Sequence, residues 1–154
     1  MRAVIQRVKR ASLTADGQPA GRCGMGLLIL LGVARGDREE DASCLAEKIA
    51  KLRIFSDQNG KMNRSVLDIG GEILVVSNFT LYAAYAKGNR PDFFASEEPR
   101  EAERLYSFFT EALRVHISHT ETGVFGADMQ IDCELDGPVT IVMDSEKLMK
   151  GRTS

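Results

Sequence analysis

Hydroxyl groups and an aromatic ring occur together in the run Ser77-Asn78-Phe79-Thr80-Leu81. Hydroxyls of the kind that Ser77 and Thr80 carry can act as nucleophiles or hydrogen-bonding groups at a reaction centre. A second run, Asp136-Gly137-Pro138-Val139-Thr140, puts a Gly-Pro pair between two strand-like segments. Proline cannot donate to a strand ladder and glycine weakens it, so sheet formation alone does not explain this choice. Both runs are candidate parts of a functional site.

The role of Thr80 has two readings at this point. A threonine hydroxyl is a weak nucleophile without an adjacent base, and the run around it contains none. In the second reading, the Thr80 hydroxyl only forms hydrogen bonds at the end of a strand. The histidines His116 and His119 lie three residues apart with no cysteine beside them, so a solvated position is favoured over a basic or metal-binding one. No phosphate-binding loop, dinucleotide fingerprint, nucleophile elbow or zinc-protease helix motif is present.

The two runs resemble signatures of the D-aminoacyl-tRNA deacylases, which read Ser-Gln-Phe-Thr-Leu and Asn-x-Gly-Pro-Val-Thr. The sequence departs from them at Asn78, where the family has glutamine, and at Leu135, where it has asparagine. Further short motifs match in order along the chain: Met1-Arg2-Ala3-Val4-Ile5-Gln6-Arg7-Val8, Arg53-Ile54-Phe55-Ser56-Asp57, Gly60-Lys61-Met62-Asn63, Lys87-Gly88-Asn89-Arg90-Pro91-Asp92-Phe93 and Thr122-Gly123-Val124-Phe125-Gly126-Ala127-Asp128-Met129.

The resemblance implies a homodimeric hydrolase that cleaves the ester between a D-amino acid and the 3′ end of tRNA, and so proofreads chirality in translation. It also implies that Gly137-Pro138 is cis and enters the active site of the facing subunit. A rigid backbone wedge of this kind excludes an L side chain by steric clash, whereas glycine would be accepted. Cleavage would be assisted by the ribose 2′-OH, with the backbone amides of Phe79 and Thr80 as candidate donors to the carbonyl oxygen.

Other residues take roles from the same resemblance. The expected catalytic group is Ser77, Phe79 and Thr80, and Asn78 belongs to the substrate-binding group. Arg7 is expected to hold the Gly137-Pro138 wedge, with a surface charge as the alternative. Phe125 stacks on the terminal adenine or packs in the core, and Met129 forms a pocket wall or fills the core. Lys87 and Arg90 contact acceptor-stem phosphates or keep a loop solvated.

Two other functions stay open beside this one. The departures at Asn78 and Leu135 are compatible with a catalytically silent relative that binds aminoacylated tRNA or nucleotide ends. Alternatively, the chain is a small-molecule acyl hydrolase with Thr80 as a true nucleophile. No metal or organic cofactor is expected in any of these cases.

The elements that must position these residues follow from the pattern of apolar residues. We expect strands over residues 2–8, 11–14 and 18–22 with a turn at Asp16-Gly17, then buried strands over 27–33 and 72–79. A first helix capped by Asp37 with Glu40, and a second capped by Ser96, carry one apolar stripe each. Strands over 124–135 and 139–143 follow. This order predicts an α+β fold with a barrel-like curved sheet backed by two helices.

Composition fits one domain, and we expect it to span residues 1–144, with a polar tail over 145–154 that is frayed or a short helix. Hydrophobic residues make up 44% of the 154-residue chain and charged residues 27%, and no apolar run approaches the ~20 residues of a membrane span. Without a signal-peptide pattern at residue 1, we expect a cytoplasmic protein. A net charge of −2 suggests that only the end of a tRNA is held tightly. The three cysteines are expected to be buried free thiols.

Overall fold

The computed structural model describes residues 1–151. This part of the chain forms eight strands, a 3₁₀ turn and three helices. In chain order they are β1 (Arg2–Ala15), β2 (Gln18–Cys23), β3 (Gly26–Gly32), α1 (Glu39–Ala50), β4 (Phe55–Ser56), β5 (Met62–Arg64), β6 (Glu72–Ser77), the 3₁₀ turn (Phe79–Tyr82), α2 (Pro99–Arg114), β7 (Thr120–Thr122), β8 (Met129–Asp144) and α3 (Ser145–Lys150).

The first strand organises the sheet because it is long enough to serve three partners. Its first half pairs antiparallel with β3 and its second half with β2, while its other edge pairs with β8. Asp16 and Gly17 both have positive φ, as the predicted two-residue hairpin turn between β1 and β2 requires. The strands expected over residues 2–8 and 11–14 are one continuous strand.

The middle of the sheet is parallel and buried on both faces. β3 pairs parallel with β6, and β6 with β7. Alternate residues of β3 belong to different apolar clusters, because Ile29 packs towards the helices and Leu28 towards the interior of the curved sheet. Burial on both faces explains the continuous apolar run that predicted this strand.

The sheet curls until its edges nearly meet. Gly21 of β2 lies so close to β7 that a Cβ there would be 2.5 Å from the carbonyl oxygen of Thr122. The Arg22 amide donates to the Glu121 carboxylate across the same gap. The predicted α+β fold with a barrel-like sheet is confirmed.

The helices cover one face of the sheet, and three are present in residues 1–151 instead of two. The predicted stripe of α2 is buried, with Leu105, Phe109 and Leu113 fully inaccessible. None of the three helices is long and apolar enough to cross a membrane.

Both predicted helix caps are wrong because their side chains have other partners. The Asp37 carboxylate accepts from the Met1 ammonium and from the Ala34 amide, both at 2.6 Å, so α1 is capped at Arg38 instead. The Ser96 hydroxyl donates to the carbonyl oxygen of Phe79 at 2.9 Å, and α2 begins after Glu98. The bonds from Met1 to Asp37 and from Ser96 to Phe79 join segments that are far apart in sequence.

The C-terminal strands also differ from the prediction. Residues 124–128 form a loop, and β8 runs unbroken from Met129 through Gly137-Pro138 to Asp144. Two register shifts in its pairing with β1 accommodate the Gly-Pro pair. Residues 145–150 form α3, with Gly151 as its C-cap, and residues 152–154 of the predicted tail lie outside the described residues.

The cysteines form no disulfide, but their burial differs. Cys23 is buried, Cys44 is half-buried and Cys133 is exposed. The expectation of three buried thiols is therefore confirmed for Cys23, only half met by Cys44, and wrong for Cys133, because most of β8 around Cys133 presents its side chains to solvent.

Candidate functional site

A cavity of about 510 Å³ opens where the chain leaves β3 and β6. Its floor is formed by Leu31 and Val33, and one wall by Ser77, Asn78 and Phe79. The opposite walls come from the start of α2 and from the loop before β8. The remaining lining residues include Arg35, Phe93, Ser96, Glu97, Glu98, Ala102, Tyr106, Phe125, Gly126, Ala127 and Met129. The first candidate run is therefore placed at a cavity large enough for a nucleoside and an amino-acid ester.

The side chain of Asn78 holds both the backbone amide and the hydroxyl of Thr80 by hydrogen bonds. Its Oδ1 accepts from the Thr80 amide at 3.2 Å and also from the Thr80 hydroxyl. The carbonyl of a carboxamide is not a base, so this hydrogen bond does not activate Thr80 as a nucleophile. The Thr80 amide is also occupied, which removes one of the two expected donors to a substrate carbonyl. Thr80 itself is exposed beside the cavity and is not part of its lining.

The amide of Phe79 is the expected donor that stays available. It forms no hydrogen bond with residues 1–151, while the neighbouring Asn78 amide donates to Leu31 at 2.8 Å. The Phe79 carbonyl is held by Ser96, and its ring meets Phe93 edge-to-face at 4.9 Å. The backbone at Phe79 is thus fixed from two sides with its N–H unpaired. The Ser77 hydroxyl, half-buried in the same wall, also has no partner in this part of the chain.

An aromatic wall closes the inner side of the cavity. The Tyr106 hydroxyl donates to the carbonyl of Val75 at 2.8 Å, and burial raises the pKa of this phenol, so it stays neutral. Its ring lies 5.9 Å from that of Phe125. Phe125 is half-buried, lines the cavity and packs on the core at once, so both expected roles are compatible with its position. Met129 also lines the cavity, and its sulfur fits against Gly123, where a Cβ would approach it to 2.7 Å.

The sequence interpretation missed several lining residues. Arg35, Glu97 and Tyr106 carry no local motif, because the fold alone brings them to the cavity. Phe93 had a signal, since it ends the motif that begins at Lys87. Lys87 and Arg90 are exposed on the loop, His119 is exposed and His116 is half-buried, and none of the four lines the cavity.

Arg7, Gly137 and Pro138 form a second group outside the cavity. The Arg7 guanidinium donates through Nε to the Asp136 carbonyl at 3.1 Å, contacts the Asp136 carboxylate at 3.0 Å and donates through Nη1 to Ile54. Gly137-Pro138 is a cis peptide, and both residues are exposed. Arg7 therefore holds the residue that precedes the pair. A single chain does not bring the two groups of predicted site residues together.

Within residues 1–151, no three histidine, cysteine or carboxylate side chains converge in an arrangement suited to a metal ion. The chemistry available at the cavity is therefore that of hydroxyls, a backbone amide, aromatic faces and the charged rim residues Arg35, Glu97 and Glu98.

Comparison with known proteins gives consistent results. The family model described as D-Tyr-tRNA(Tyr) deacylase matches residues 4–144. A D-aminoacyl-tRNA deacylase of Deinococcus deserti is 58% identical over 144 residues, covering 94% of this chain and 99% of its own length. One of Bacillus cytotoxicus is 51% identical over 146 residues, covering 95% and 100%. A solved structure of "c-Myc DNA Unwinding Element Binding Protein" has a TM-score of 0.88 and 41% identity, covering 94% and 98%.

Proposed function

The chain belongs to the D-Tyr-tRNA(Tyr) deacylase family, and from this membership we infer the reaction, the site and the assembly that carries them. The protein is a hydrolase that cleaves the ester bond of D-aminoacyl-tRNA, which frees the tRNA and removes the wrong enantiomer before translation. Residues 1–144 form the deacylase domain of this proposal. Its substrate is a product of aminoacylation, so we place the protein in the cytoplasm.

The unpaired amide of Phe79 is the observation that supports the location of the reaction. A fixed N–H at the wall of a cavity can stabilise the oxyanion that develops as an ester carbonyl is attacked. Asn78 occupies the amide of Thr80, so Phe79 supplies the backbone donor in this chain. The terminal adenine lies against Phe125 and Met129 in this arrangement, with the aminoacyl ester towards Phe79.

The substrate itself supplies the remaining chemistry. The ribose 2′-OH lies next to the ester oxygen, and an aminoacyl ester is already reactive, so correct positioning provides much of the acceleration. Ser77 and Thr80 are available to hydrogen-bond the ribose or the α-ammonium group. Thr80 is not the nucleophile of this mechanism, because its proton is directed to a carboxamide oxygen.

The chirality check requires a second copy of the chain. Gly137 and Pro138 are exposed and lie outside the cavity lining, so they can serve a cavity only on a facing subunit. The same strand exposes Leu135 (46%) and Val142 (61%), apolar side chains suited to an interface. The homodimer places a backbone wedge beside the α-carbon of the substrate. That wedge excludes L side chains, and glycyl-tRNA is accepted because it has none.

The test is hydrolysis of D-tyrosyl-, L-tyrosyl- and glycyl-tRNA by the wild type and by Thr80→Ala. We expect cleavage of the D-aminoacyl and glycyl esters, no cleavage of the L ester, and a Thr80→Ala rate within about tenfold of the wild type. Thr14→Ala, on β1, is the matched control. A loss of about 10⁴-fold or more in Thr80→Ala alone would instead identify a threonine nucleophile.

A further inference from the structure

Aromatic rings continue from the lining of the cavity to the exposed surface next to it. The aromatic rim, defined as Phe79, Phe93 and Phe94, lies at the mouth, where Phe79 is 59% and Phe94 80% exposed. Phe93 lines the cavity and packs edge-to-face on Phe79. The carbonyl of Phe94 accepts from Arg35 Nε at 2.7 Å, which fixes its backbone beside another lining residue. The rim is therefore an ordered aromatic surface that is continuous with the cavity.

Charge differs between the segments that precede and follow this rim in the chain. Before the rim, residues 84–92 form a hairpin closed by reciprocal backbone hydrogen bonds between Ala84 and Asp92. It exposes Lys87 and Arg90, for which no ion pair is formed in residues 1–151. After the rim, Glu97 and Glu98 line the cavity at the start of α2, and Glu98 already pairs with Arg35. A polyanion that leaves the cavity is thus attracted towards the hairpin and repelled from the start of α2.

We propose that the aromatic rim and the hairpin form a binding site for the unpaired nucleotides that immediately precede the terminal adenosine of tRNA. This inference rests on the proposed function, because the terminal adenosine must occupy the cavity. The base next to the adenosine stacks on Phe94, and the following phosphates lie near Lys87 and Arg90. An exposed, backbone-fixed ring accepts any base, which suits the unpaired 3′ end of a tRNA.

Single-stranded RNA explains the combination of features better than a protein partner does. The rings lie next to a cavity that has room for a nucleoside and its amino-acid ester, and the two exposed cations of the hairpin lie only a few residues along the chain from them. Stacking on exposed aromatic side chains together with phosphate contacts is the usual way in which proteins bind unpaired nucleotides. The site also explains how a chain with net charge −2 holds tRNA, because only the phosphates near the hairpin need to be attracted, by Lys87 and Arg90.

The test compares two probes, adenosine 5′-monophosphate and the trinucleotide CCA, by calorimetry or fluorescence anisotropy. We expect CCA to bind the wild type about tenfold more tightly than the mononucleotide, as one good base stack provides. In Phe94→Ala this advantage disappears, while the mononucleotide binds as in the wild type. Phe94→Tyr, which keeps the ring, should retain the advantage, whereas Phe94→Leu, which keeps apolar bulk without a ring, should lose it. Val115→Ala, an 81% exposed apolar residue at the end of α2, is the control.

The role of the two cations is tested by salt dependence. In Lys87→Ala/Arg90→Ala, the slope of log affinity for CCA against log salt should fall by about 0.7 for each phosphate that is no longer neutralised. Lys48→Ala, on the exposed face of α1, should leave the slope unchanged. Equal weakening of both probes in Phe94→Ala, or no weakening of either, would overturn the proposal. Failure of the wild type to cleave D-aminoacyl-tRNA would overturn the proposed function instead, so the two failures are distinguishable.

Discussion

Arg7 connects two segments that a shorter or less branched cation could not hold together. Its guanidinium reaches the Asp136 carbonyl and carboxylate through Nε and the Ile54 carbonyl through Nη1, and its side chain is only 12% exposed. A lysine ammonium has no planar fork and cannot keep this geometry. We therefore propose that Arg7 positions Gly137 and Pro138 through Asp136.

We expect Arg7→Lys to lower kcat for D-aminoacyl-tRNA by about tenfold or more, because small misplacements of a positioning group are costly. The ratio of D to L cleavage should also shrink, since a displaced wedge excludes L side chains less well. Single-turnover hydrolysis of both esters measures the effect. Arg10→Lys, an exposed ion-paired residue of the same strand, is the control. Equal behaviour of the two variants would contradict this role.

Cys23 provides a prediction about pH. Burial raises the pKa of its thiol to about 11. The folded chain favours the neutral thiol of Cys23. The stability that follows from this preference is complete below the unfolded pKa of about 8.5, and it is lost as the pH rises towards 11. Burial also raises the pKa values of Tyr82 and Tyr106, so these two residues affect the free energy of unfolding only at higher pH.

We therefore expect the free energy of unfolding of the wild type to fall more steeply between about pH 8 and 10 than that of Cys23→Ala, as urea denaturation measures. At about pH 8 a thiol reagent should label exposed Cys133 quickly and Cys23 only after unfolding. Parallel pH profiles for the two proteins would show that Cys23 ionises as freely in the folded chain as in the unfolded one.

At the scale of elements, β3 and β6 meet so closely at their first residues that only glycine fits there. A Cβ on Gly26 would lie 1.8 Å from the carbonyl oxygen of Glu72. This close approach sets the start of the parallel register between the two strands, and their ends supply Leu31 and Ser77 to the cavity.

Gly26→Ala should lower the free energy of unfolding by about 3 kcal/mol, because the added methyl forces two backbones apart. Gly24→Ala is the matched control, since its Cβ would meet only the flexible Glu72 carboxylate, at 3.3 Å. Urea denaturation of both variants measures the difference. Similar stabilities would mean that the strands can separate without cost at this point.

Local patterns were sufficient for some elements and not for others. The apolar run of β3, the stripe of α2 and the Asp16-Gly17 turn depend on neighbouring residues, so the sequence predicts them. Asp37 and Ser96 failed as caps because partners distant in sequence occupy them. The strand β7 has only three residues, and the sequence does not predict it. The strand β8 contains the Gly-Pro pair because its register shifts against β1. The cavity was predictable where a motif lines it, but Tyr106 and Arg35 reach it through tertiary structure alone.

The whole molecule carries the two halves of its proposed site on different surfaces. We expect two chains per particle at micromolar concentration in sedimentation velocity. Val142→Asp, which puts a charge on the exposed apolar side of β8, should give monomers that no longer hydrolyse D-aminoacyl-tRNA. Val115→Asp, which alters an exposed residue at the end of α2, should stay dimeric and active. A fully active monomer would contradict the two-chain site.

The pairing of β1 with β8 has a consequence for biosynthesis. Arg2 pairs with Asp144 and Ala15 with Met129, so the first strand of residues 1–151 is completed by the last one, which the ribosome makes more than 100 residues later. Until β8 emerges, one whole edge of the nascent sheet lacks its partner, and such edges favour aggregation. Closure of the sheet is therefore expected to be a late event that depends on contacts between distant residues, which slows folding. Truncated chains that lack β8 should depend on chaperones to stay in solution.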